Sequence, residues 1–137
     1  MDVAEDATSY LKKDPALYEA LMEGYDARNR GSGYDANPYD EEQQPKKHRV
    51  WLAGVRACRR DEVRHRIRLA VAAGGVYGIE VRAPTKGPVC PFCRRQDETV
   101  HPIEEVLEAP PIPHEDCESG RCRCTYVYVT DRHHPEL

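Results

Sequence analysis

One phenylalanine and one tryptophan accompany eight tyrosines in 137 residues, a scarcity that excludes a large aromatic core. No run approaches the roughly 18 consecutive apolar residues that a membrane-crossing helix needs, so no membrane partner is expected. The opening Met1-Asp2-Val3-Ala4-Glu5-Asp6 is acidic and lacks the apolar segment of a secretory signal. The expectation is a cytoplasmic chain in a reducing compartment. Also missing are paired carboxylates in a recognisable frame, a Gly-rich phosphate loop and a Ser/His/Asp arrangement. Neither an enzyme nor a small-molecule substrate is therefore expected. Hydrophobic residues make up 39% of the chain, low for a folded protein, and small modules with thin cores draw on metals or disulfides.

Charge is present but unevenly placed. Residues 1–45 hold 11 acids and 4 bases, residues 46–68 hold 2 acids and 9 bases, and residues 69–137 hold 11 acids and 7 bases. A basic block thus lies between acidic ones. It reads either as an RNA footprint or as a stretch neutralised by the acidic N-terminal part.

The pattern of breakers and apolar residues predicts the elements. Val3 to Lys12 reads as a short helix. Asp14-Pro15 marks a helix start, because Asp caps and Pro fits the first helical position. Leu17, Leu21, Tyr25 and Arg28 follow at helical spacing, and Gly31 ends the segment. Residues 31–46 are turn-rich and form a loop, or a linker ordered by Tyr34 and Tyr39. A second long helix starts near Lys47; Arg66 to Val71 also fits an alternating strand, but the Ala-rich run to Ala73 favours continued helix, and Gly74-Gly75 stops it either way. On it Arg49, Arg56, Arg60 and Arg64 fall within about 80° of one another at 100° per residue, making them the candidate nucleic-acid contacts. Trp51, Leu52 and Val55 lie off that stripe, and Trp51 with the tyrosines serves stacking or core packing. Val76 to Ala83 reads as a strand, His101 to Leu107 as a short helix, Ala109 to Pro113 as a rigid extended connection and Thr125 to Thr130 as a last strand.

Five of the six cysteines fall within residues 90–124. In a reducing compartment such clusters favour metal over disulfides. Cys90-Pro91-Phe92-Cys93 presents two thiolates to one ion, and tetrahedral structural zinc needs four ligands. The expected set is Cys90, Cys93, Cys117 and Cys122, with Cys124 and then His114 as substitutes. The 23 residues between Cys93 and Cys117 suit a short helix and a loop. A redox role for the CxxC pair needs a thioredoxin-like βαβ context, which this sequence lacks. An open catalytic zinc needs a base, for which Glu115 or Glu118 is conceivable, but surplus thiolates favour a closed site. Cys58 stands apart as a small core residue.

Two resemblances cover parts of the chain. Gly24-Tyr25-x-Ala27, Gly31, Asn37-Pro38-Tyr39 and Trp51-Leu52-x-Gly54-x-Arg56-Ala57 resemble ribosome modulation factor over roughly residues 16–60. The chain departs from that pattern at Asn37, where Cys is usual, at Val55, where a second Trp is common, and in its acidic first helix. This resemblance implies a ribosome or rRNA partner. Cys90, Cys93, Pro110, Pro111, Cys117 and Cys122-Arg123-Cys124 look like the cysteine-rich tail of phage head-morphogenesis (Mu F-like) minor capsid proteins. That likeness implies a zinc module, phage structural proteins as partners, and a place in the host cytoplasm or virion.

The combined expectation is an α+β chain. A helical hairpin-like module spans residues 1–73, with its linker at 31–46, and a small zinc-ribbon-like β module spans residues 74–137 and binds Zn2+.

Overall fold

The structure is a computed structural model that describes residues 14–114, 117 and 121–137. The helix expected over Val3 to Lys12 lies outside them. The fold is α+β, and the chain divides into two compact units between Arg59 and Arg60. That division falls ahead of Gly74-Gly75 because Val63 and Ile67 belong to the core of the second unit.

In the first unit, helix α1 spans Pro15–Asn29. It begins where the sequence indicates: the Asp14 carboxylate accepts from the Ala16 amide at 2.9 Å, and Pro15 takes the first position, where a missing N–H costs nothing. Arg30 is the C-cap, and Gly31 follows with φ 90°. A 3-10 turn at Tyr34–Ala36 leads to helix α2, Pro45–Ala73.

Two glycines let α1 and the first part of α2 touch backbone to backbone. A Cβ on Gly24 would stand 2.0 Å from the Trp51 carbonyl oxygen, and one on Gly54 would stand 2.1 Å from that of Leu21. Any side chain there forces the helices apart. Around this crossing Ala20, Leu21 and Val50 form one buried cluster, and Ala27, Trp51, Leu52 and Val55 another. Trp51 is 2% exposed, so it packs and does not stack on a ligand. Tyr34 and Tyr39 close over the second cluster. Cys58 is buried here too.

The connection between the helices is held by polar contacts. Asn37 accepts from the Tyr39 amide at 3.0 Å and donates to the His48 carbonyl at 3.1 Å, while Nδ1 of His48 lies 2.8 Å from the Tyr39 carbonyl. The Tyr39 hydroxyl donates to Glu23 at 2.6 Å; that bond, with burial, pushes its pKa up to about 12. Arg59 lies over the Tyr34 ring and donates to its hydroxyl at 3.0 Å.

The second unit is built on a three-stranded antiparallel sheet of order β2-β1-β3, with β1 Gly78–Arg82, β2 Val100–Pro102 and β3 Thr125–Val129. Two short helices, α3 Pro91–Gln96 and α4 Ile103–Glu108, interrupt the strands. His101-Pro102 is strand, not the opening of the expected helix, because Ile79 pairs with His101 and Gly78 with Pro102. On the central strand Ile79 and Val81 are fully buried, each contributing about 1.5–3 kcal/mol by removal from water. Their cluster adds Val63 and Ile67 from α2, Val106 from α4, and Ile112. The other four buried members of that cluster are Cys93, Cys117, Cys122 and Cys124. A core so rich in sulfur has little apolar area with which to hold itself.

Candidate metal centre

The CxxC pair sits at the start of α3. Cys90 is the N-cap, its sulfur accepting from the Cys93 amide at 3.4 Å, and Pro91 takes the first helical position. The helix turn places Cys93 one turn on, facing the interior at 3% exposure. The arrangement is a capped helix end. The other donors lie between α4 and β3 in the chain: His114 after the buried Ile112-Pro113, then Cys117, then Cys122 and Cys124 leading into β3.

Among the described residues these side chains form two overlapping groups. Cys93, His114, Cys122 and Cys124 are all buried, with ligand atoms within 4.8 Å of one another; Cys90, Cys93 and Cys117 satisfy the same limit. Nδ1 of His114 lies 3.4 Å from the Cys93 sulfur and 3.6 Å from that of Cys122. Zinc–sulfur bonds of about 2.3 Å and zinc–nitrogen bonds of about 2.0–2.1 Å set a tetrahedral S···N edge near 3.5 Å and an S···S edge near 3.8 Å. The chain therefore carries a buried Cys3His group arranged to hold a metal ion. The free cysteines include all five of this region.

The expected ligands divide between the groups. Cys93 belongs to both, Cys122 to the Cys3His group, and Cys90 and Cys117 to the other. The substitutes Cys124 and His114 both stand in the Cys3His group. His114 was the residue least marked in the sequence. Its position is fixed by contacts distant along the chain, including the Phe92 ring packed edge-on at 5.3 Å. Arg123, between Cys122 and Cys124, donates to the Pro88 carbonyl. It thereby ties the segment before β3 to the approach to Cys90.

The thiols differ electrostatically. Burial pushes the Cys93 thiol well up, aided by its sulfur contact with Cys90, and burial with the nearby Cys122 charge raises Cys124 to about 12. Burial would raise Cys122 as well, but His114 and the backbone amides of His114 and Cys124 outweigh it and bring Cys122 down to about 6. Cys122 is thus the thiol of the group most readily ionised, and a bound cation would favour the thiolate form of the other two.

The arginine stripe is placed unevenly. Arg49 is exposed and Arg56 half-buried, both in the first unit. In the second unit Arg60 donates to the Pro113 carbonyl at 2.8 Å, and Arg64 donates through Nε to the Leu107 carbonyl at 3.0 Å. These two guanidiniums hold the segment that carries His114. No helix among the described residues is long and apolar enough to cross a membrane. Compared with protein-family models, curated proteins and solved structures, the chain matches none.

Proposed function

We propose that this chain is a small non-enzymatic zinc protein whose second unit is assembled around a closed, structural Cys3His centre. The observation that carries this is the burial of Cys93, His114, Cys122 and Cys124 within mutual ligand distance. Three soft thiolates with one imidazole suit zinc and not magnesium or calcium, which take oxygen ligands. Four protein donors fill a tetrahedral shell and leave no open coordination position for a substrate, which favours a structural role over catalysis. Metal analysis of the purified chain tests the reading. Zinc retained in reducing buffer supports it; a metal-free chain of native fold refutes it.

In this reading the chain also carries an RNA-binding face on its first unit, with the ribosome or rRNA as partner. The support is the likeness to ribosome modulation factor together with exposed Arg49 and half-buried Arg56; Arg60 and Arg64 contribute less, since their guanidiniums bond carbonyls of the second unit. Binding would be salt-steep, because each phosphate contact releases counterions. Sedimentation of the chain with ribosomal subunits at low salt, lost on Arg49→Glu with Arg56→Glu, is the test.

One observation favours a second reading, a phage or prophage assembly component docking structural proteins. The cysteines that carry the Mu F-like likeness are those gathered at the two metal groups. Co-purification with capsid components and no ribosome association would select it.

A further inference from the structure

Two cysteines of the cluster stand outside the Cys3His group. Cys90 and Cys117 come from segments 27 residues apart, yet their sulfurs stand 3.7 Å apart, close to the S···S edge of about 3.8 Å that a shared zinc ion imposes. Cys93 lies within 4.8 Å of both. We propose that the chain binds a second zinc ion at Cys90, Cys93 and Cys117, with the Cys93 thiolate bridging it to the ion of the Cys3His centre. This rests on the Cys3His reading, because the bridge needs the first ion in place.

Three features support a second ion. Five thiolates around a single divalent ion would leave a net charge near −3, whereas two ions reduce it to −1 and make full deprotonation accessible. Cys90, Cys93, Cys117 and Cys124 line one pocket that Arg121 and Arg123 also line, placing cations beside the residual negative charge. The Cys93 amide already donates to the Cys90 sulfur, an outer contact that stabilises a metal-bound thiolate. Cys90 is half-buried, so this side faces solvent and a water molecule completes the fourth position. The second ion is therefore the more exchangeable of the two.

Native mass spectrometry of the full chain, reconstituted with excess zinc under reducing conditions, tests this. The expected result is two zinc ions per chain, falling to one in Cys90→Ser and in Cys117→Ser, with one ion lost first during stepwise chelation of the wild type. One ion in the wild type, unchanged by either substitution, overturns the second site and leaves the Cys3His centre standing. A wild type that binds no zinc overturns both. Because the wild-type count decides the matter, a variant that fails to fold does not obscure it.

Discussion

The sulfur of Cys93 lies 3.4 Å from Nδ1 of His114, a contact that spans 21 residues and joins α3 to the segment before β3. β1 and β3 are already paired through five residues, from Gly78 with Val129 to Arg82 with Thr125. That ladder joins the two strands directly, and a metal at this contact would act on the residues outside it. Bound there, it would fasten segments that the backbone ladder does not reach, and with them the strands they flank. That makes the Cys93–His114 contact the point where metal and fold depend on each other.

Removing His114 should accordingly be costly. His114→Ala opens a buried position in the Cys3His group, and zinc affinity should fall by more than about 100-fold, beyond the 10–100-fold typical for losing an outer-sphere partner. Competition with a chromophoric chelator measures it. Since metal binding supplies on the order of 10 kcal/mol in small zinc modules, hydrogen exchange should also show lost protection in β1, β3 and α3. Unchanged affinity would place the ion elsewhere.

Proton release gives a second prediction. At pH 7 Cys122 is largely thiolate, with its pKa near 6, whereas Cys93 and Cys124 are held protonated. Filling the Cys3His site should therefore release about two protons from thiols. Calorimetry in buffers of different ionisation enthalpy reads the number, with Cys90→Ser/Cys117→Ser used to isolate the site. Release of about three would mean that Cys122 is not pre-ionised. The same shift makes a stability statement about the metal-free chain. A depressed thiol pKa stabilises the fold above the ordinary value of 9.0 and loses that contribution as pH falls through about 6. Cys124, raised to about 12, acts in the opposite sense, stabilising below 9.0 and losing its contribution as pH rises through about 12.

Much of the first unit was legible in the chain. Asp14-Pro15 and Gly31 bracket α1 through local chemistry, and local chemistry is what a sequence displays. The crossing of Gly24 over Trp51 was not legible, since a glycine in a helix shows no reason for itself until a backbone is found against it. His101 illustrates the same limit: its helical neighbours are local, but its pairing with Ile79 is not. In the metal region CxxC and Cys-x-Cys announced a site. The choice between His114 and Cys90 or Cys117 depends on folded distances that spacing does not encode.

The helix crossing is testable by itself. Gly54→Ala places a methyl 2.1 Å from the Leu21 carbonyl oxygen, and overpacking against rigid backbone costs about 1–3 kcal/mol or more. Chemical denaturation should show that loss, with hydrogen exchange locating it in residues 15–55. A variant as stable as the wild type would mean that the helices separate at no cost.

Arg60 and Arg49 should part company. Arg60→Ala removes a charged donor from the Pro113 carbonyl and should cost about 1.5–3 kcal/mol. Arg49→Ala, at an exposed position, should change stability by no more than about 0.5 kcal/mol. If the ribosomal reading holds, the Arg49 variant instead weakens RNA binding and flattens the slope of log affinity against log salt by roughly 0.7–0.9. Thermal melting and RNA titration of both variants separate the roles. Equal effects on stability would contradict the assignment.

Zinc-edge X-ray absorption of the purified chain tests the Cys3His centre most directly. The expected first shell is three sulfurs at about 2.3 Å and one nitrogen or oxygen at about 2.0 Å, with the outer scattering of an imidazole that disappears in His114→Ala. That average holds whether one ion or two are bound. A shell of four sulfurs without imidazole, as a Cys90, Cys93, Cys117 and Cys122 site would give, would contradict it.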